Sequence, residues 1–144
     1  MSMETSIQYG YGVITSKIKI KDIEKLKDLI RRIPNYEDDI QKYFEQEGIE
    51  NPTIEDYLTA MEDYNGVAGI FETIIYEEEG IELCVYNDFE GDFYLLYPEG
   101  YPWYMNKLDL SMTEDKLKQI FQKYMTLITD DLVDIDYQRC ENCG

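Results

Sequence analysis

Histidine is absent from this 144-residue chain. Its absence removes the commonest general base, the Ser–His and Cys–His nucleophile pairs, and the commonest metal ligand. Long apolar runs are missing too. Nothing approaches the roughly 18 residues of a membrane helix, and residues 1–6 are short and polar, without the basic flank and apolar stretch of a secretory leader. The expectation is a soluble, cytoplasmic protein that does not bind membranes. Cysteine is scarce: Cys84, Cys140 and Cys143 are too few, and too oddly numbered, for a secreted disulfide scaffold. Cys84 sits in an apolar run and reads as a small core residue.

Basic charge is missing from the middle of the chain. Between Tyr36 and Asn106 there are nineteen acidic residues and one basic residue, Lys42. The rest of the chain carries twelve of each sign, so the net charge of −18 belongs entirely to the central block. A compact fold must turn that block toward water or a cationic partner, because buried unpaired carboxylates are very costly. Direct nucleic-acid binding is disfavoured, since phosphate contacts need clustered Lys and Arg.

What is present suffices for a fold. Hydrophobic residues make up 44% of the chain, enough for a core in one domain spanning 1–144, with flexible ends expected at 1–6 and 139–144. Residues 7–15 alternate and read as a strand, bent at Gly10 or Gly12. Asp22 is placed to cap a helix to Ile33, where Pro34-Asn35 stops it. A second helix is predicted over 37–47, with Tyr36, Ile40, Tyr43 and Phe44 as its apolar stripe and Gly48 at its end. Thr53 and Asp56 approximate a capping box for a third. There Ile54, Tyr57, Leu58 and Met61 line one face, while Glu55, Asp56, Glu62 and Asp63 fall opposite. A fourth helix, 67–79, buries Val67, Ile70, Phe71, Ile74 and Ile75 and ends in Glu77, Glu78 and Glu79, at the negative pole of its own dipole. Strands over 81–86 and 93–97 form a hairpin. Thr113 caps a fifth helix to about Ile128, and 133–138 make a last strand. The fold class is α+β: a small, mostly antiparallel sheet of about four strands, with about five helices in the order β-α-α-α-α-β-β-α-β.

Three clusters invite chemistry, and each has a plainer explanation. Glu114-Asp115-Lys116 has a nuclease-like Glu-x-Lys spacing, but it occupies a first helical turn, where acidic residues complement the dipole anyway. Asp88-Phe89-Glu90-Gly91-Asp92 concentrates carboxylates in a turn without the calcium-loop pattern, and reads as a polar hairpin turn. Cys140 and Cys143 are half of a zinc site with no second pair, which favours a C-terminal tail. No catalytic residue, metal or cofactor is expected. Fourteen tyrosines and the Tyr101-Pro102-Trp103-Tyr104 segment leave two possibilities open, a plug for the core or a binding hot spot.

Tyr9-Gly10-Tyr11-Gly12, Tyr101-Pro102-Trp103 and Asp134-Ile135-Asp136-Tyr137-Gln138 together give the chain its family likeness. It resembles small acidic proteins without an assigned activity from Firmicutes bacteria, their phages and mobile elements. The resemblance spans nearly the whole chain and transfers no functional residues. It implies a setting in which small acidic proteins inhibit host defence, as anti-CRISPR proteins that mimic DNA do.

The acidic block therefore has two readings. One is a solvated, solubilising surface beside a generic protein-interaction module built on the Tyr/Trp loop. The other is a surface that imitates phosphate and blocks a basic, nucleic-acid-binding partner such as a CRISPR effector nuclease. The second expects contact through Glu37, Asp38, Asp39, Glu55, Asp56, Glu62, Asp63, Glu77, Glu78 and Glu79, with Tyr64 and Trp103 as anchors.

Overall fold

The computed structural model describes residues 7–97 and 112–141. Strand β1 (Ile7–Ile14) opens the chain and is followed by α1 (Ile23–Ile30), α2 (Tyr36–Glu47), α3 (Ile54–Ala60) and α4 (Gly66–Glu79). Strands β2 (Cys84–Asn87) and β3 (Phe93–Leu96) come next, then α5 (Glu114–Met125) and β4 (Asp136–Glu141). The class is α+β and the order is the expected one. The four strands lie in the order β2-β3-β1-β4, and every neighbouring pair is antiparallel.

Alternation along the strands decides what each face buries. Tyr11, Val13 and Leu95 turn toward the helices, where α5 packs on β1 and α4 on β2 and β3. Tyr11 meets Phe121 of α5 and Tyr137 of β4 edge-on, with ring centroids 6.4 and 5.1 Å apart. A smaller cluster of Tyr94, Leu96 and Cys140 is buried on the other face. Among the described residues no helix is long and apolar enough to cross a membrane.

Local signals set the helix starts. Asp22 accepts the Glu24 N–H (3.0 Å), Thr113 accepts the Lys116 N–H (3.1 Å), and Thr53 and Asp56 complete a reciprocal capping box. Helix α1 is shorter than periodicity suggests. It gives way after Ile30 to tighter turns, Arg32 N–H to Leu29 and Ile33 N–H to Ile30, because the residue before Pro34 is disfavoured in the helical region. Strand β4 also departs from expectation. Val133 and Ile135 pack on the core as unpaired chain, and pairing begins only at Asp136, opposite Gly12. It runs on through Arg139, Cys140 and Glu141, so these three residues belong to the sheet and not to a C-terminal tail. The fully buried Cys140 opposite Gln8 holds them there.

Candidate protein-binding surface

The acidic residues ride on four consecutive pieces of backbone. Helix α2 is anchored on α3 by Phe44, whose ring meets Tyr57 edge-on at 4.9 Å. After Ala60 the helical hydrogen bonding tightens to a 3-10 turn, Met61–Tyr64. Glu62 and Asp63 therefore leave the α-helical register of Glu55, and both stay exposed. Met61 is fully buried, and Asn65 takes a left-handed conformation (φ 63°) that redirects the chain into α4.

Gly69 fixes this turn against α4. Its α-carbon lies so close to the Tyr64 carbonyl that a β-carbon there would collide with backbone. One turn along, the Thr73 hydroxyl donates to the Gly69 carbonyl (3.2 Å) and shares a hydrogen bond with the Tyr64 hydroxyl (3.2 Å). Tyr64 is thus held at its backbone carbonyl and at its hydroxyl.

The expected carboxylates divide into three kinds. Glu37, Glu78 and Glu79 meet cations from outside the block: Arg31 Nε to Glu37 at 2.6 Å, Arg32 to Glu78 at 3.8 Å, and Lys123 to Glu79 at 2.9 Å. Glu79 also accepts the Tyr124 hydroxyl (2.6 Å). That bond, followed by the one from Lys123, holds its pKa below the usual carboxylate range. Asp56 is occupied by its cap, accepting from the Thr53 N–H (2.9 Å) and hydroxyl (3.1 Å). Asp38, Asp39, Glu55, Glu62, Asp63 and Glu77 are exposed and, among the described residues, make no ion pair.

Asp39 and Asp63 come from different elements and line one groove, of about 330 Å³, together with Tyr36, Tyr43 and Tyr64. The Tyr36 and Tyr64 rings lie 4.9 Å apart at a 36° tilt. Tyr36 and Tyr43 were legible in the sequence only as part of an apolar stripe. What marks them as lining a groove is their position opposite the 3-10 turn, which no local pattern encodes. Trp103 and its loop lie outside the described residues. A larger cleft, about 440 Å³, lies away from this surface among Lys17, Lys19, Asp131 and Asp134, where both signs of charge are mixed.

The three clusters weighed as chemistry take defined places. Asp88 organises its hairpin turn: one oxygen accepts the Glu90 and Asp92 N–H groups (both 2.9 Å) and the other accepts the Tyr94 hydroxyl (2.9 Å). Glu114 accepts the Tyr137 hydroxyl (3.1 Å) in the first turn of α5. Cys140 lies buried within β4, and Cys143 is outside the described residues. No protein-family model matches the chain, and no curated protein or solved structure matches it either.

Proposed function

We propose that this chain is a non-catalytic binding protein that presents its acidic helical layer to a basic, nucleic-acid-binding protein and occupies the groove meant for phosphate. The observation that supports it is the segregation of charge. Among the described residues seven flank cations pair with flank carboxylates or with the rim of the block, and eight exposed carboxylates on α2, α3, the Met61–Tyr64 turn and the end of α4 make no ion pair. A merely solubilising surface needs no such sorting. Carboxylates three or four residues apart on a helix lie about 5–6 Å from each other, similar to the spacing of phosphates along one strand. The family resemblance carried by Tyr9 to Gly12 and Asp134 to Gln138 directs the choice of partner to host defence, first to an RNA-guided CRISPR effector nuclease. The absence of histidine supports a role without catalysis.

The test is a titration of the protein into a guide-loaded effector nuclease, following target-DNA binding by fluorescence anisotropy and cleavage on gels at several salt concentrations. The expected result is competitive loss of DNA binding that weakens steeply with salt, because screening lengths fall from about 10 Å at 0.1 M to about 3 Å at 1 M. Inhibition of unchanged strength across that range would remove charge mimicry as its basis.

A further inference from the structure

The groove between α2 and the Met61–Tyr64 turn is more than an acidic patch. Its walls are the rings of Tyr36, Tyr43 and Tyr64, its carboxylates are Asp39 and Asp63, and Ile40, almost fully buried, lies at its base. Among the described residues neither carboxylate has a cation. The Tyr36 hydroxyl oxygen is buried and has no hydrogen-bond partner, a condition that costs the unbound protein free energy and that a donor entering the groove would relieve. Tyr64 cannot turn to serve it, because its own hydroxyl is engaged with Thr73.

We infer that this groove is the seat for an arginine side chain of the basic partner, with the guanidinium stacked on the tyrosine rings and its N–H groups shared between Asp39 and Asp63. The inference rests on the acidic-layer reading above and names the one point on that layer where recognition is specific. Arginine fits better than lysine for three reasons. A guanidinium is planar and stacks on aromatic faces, where an ammonium only approaches them. It carries five donors in a fixed fork, enough for two carboxylates and a hydroxyl acceptor at once. It is also more weakly hydrated, so it gives up less on entering a half-closed groove. The local field agrees: the Tyr36 hydroxyl is pushed up to about 12 by burial, then by Tyr64, Asp63 and Asp39. Of these causes only the neighbouring Asp63 and Asp39 favour a positive charge; burial disfavours charge of either sign, which is a further reason for the weakly hydrated guanidinium.

The experiment uses the full chain and two peptides of equal charge, hexa-arginine and hexalysine, at fixed ionic strength. Affinity is measured by calorimetry and the tyrosine ring signals by NMR. Hexa-arginine is expected to bind about tenfold more tightly and to shift the Tyr36, Tyr43 and Tyr64 rings. Asp63→Asn, at an exposed position that leaves folding intact, should reduce the preference to about twofold. Glu55→Gln, on an exposed residue of α3 that does not line the groove, should weaken both peptides equally. Tyr36→Phe gives a readout that a purely structural role would not: weaker hexa-arginine binding together with a higher unfolding midpoint of the free protein. Equal affinities with unmoved rings would overturn the arginine seat and leave the acidic layer standing. Failure of both peptides to bind would overturn both.

Discussion

Asp130 and Asp131, after α5, each hold a lysine from the region of α1, Lys25 at 2.8 Å and Lys21 at 2.9 Å. Asp39 and Asp63, in the central block, share a groove with three tyrosines and no cation. The two regions use the same side chain for different ends. Among the described residues five flank carboxylates, Glu24, Asp28, Asp130, Asp131 and Glu141, meet a flank cation, and such a pair is worth little in water, about 0–1 kcal/mol. In the block the exposed carboxylates away from its rim make no ion pair among the described residues. That is tolerable only because they lie in water, and pairing becomes favourable when a cationic surface arrives. Arg31, Arg32 and Lys123 mark the border between the two regimes, since they neutralise the rim of the block and leave its face open.

The largest effect should come from reversing the same amount of charge in one region or in the other. Glu55→Lys/Glu62→Lys/Asp63→Lys reverses three exposed carboxylates of the block, and Glu24→Lys/Asp115→Lys/Asp134→Lys reverses three of the flanks. Both variants carry the same net charge. Against the effector nuclease the block variant is expected to lose about a thousandfold in affinity and the flank variant only a few-fold. Competition anisotropy measures both. Equal losses would mean that bulk charge, not its location, drives binding.

The second effect concerns what places the groove. Gly69→Ala puts a β-carbon against the Tyr64 carbonyl, so either α4 or the Met61–Tyr64 turn must move. A stability loss of about 2–3 kcal/mol in urea unfolding is expected from such overpacking. The arginine preference should fall with it, because Tyr64 and Asp63 ride on that turn. If the protein is destabilised but keeps the preference, the groove does not depend on the α4 contact.

Chemistry confined to a few neighbouring residues was readable in the sequence. The caps at Asp22, Thr53 and Thr113 were, because each joins residues two or three positions apart. The buried face of α4 was too, since Val67, Ile70, Phe71, Ile74 and Ile75 repeat at helical spacing and all are buried. Three features were not. The helix that stops at Ala60 depends on Met61 and on the close approach at Gly69. The register of β4 is chosen by β1, about 130 residues earlier in the chain. The split of the acidic block into paired rim and open face depends on where Arg31, Arg32 and Lys123 come to lie. The β4 register and the Arg32–Glu78 and Lys123–Glu79 pairs are decided by residues distant in sequence, and the turn after Ala60 by a close approach of Tyr64 and Gly69; periodicity sees neither.

At the border a smaller effect is expected. Tyr124→Phe removes the hydroxyl that Glu79 accepts at 2.6 Å, a charge-assisted bond between α4 and α5. Its loss should cost about 1–2 kcal/mol at neutral pH by urea unfolding. The acid limb is the sharper measurement. The folded-state pKa of Glu79 lies below the unfolded value near 4.5, so its contribution is present above that value and lost as pH falls through the folded one. Without Tyr124 the loss should set in at higher pH. An unmoved acid limb would show that Lys123 alone holds Glu79.

Glu72 is the opposite case and the smallest. It lies on α4 inside the block, and burial, then the neighbouring charge of Glu82, raises its folded-state value above 4.5. The folded protein therefore keeps a proton that the unfolded chain has already released. Stability should fall as pH rises from about 4.5 through the folded value, and stay lower at neutrality. This sign is the reverse of that for Glu79, on the same helix and two turns along. Glu72→Gln should remove the decline and stabilise the protein at neutral pH, with little change at acid pH. Glu82→Gln should recover only the smaller part, because burial is the first cause and the neighbouring charge the second. If Glu72→Gln leaves the neutral limb unchanged, the block's carboxylates do not strain the fold where they are half-buried. The contrast with the flanks would then rest on its exposed face alone.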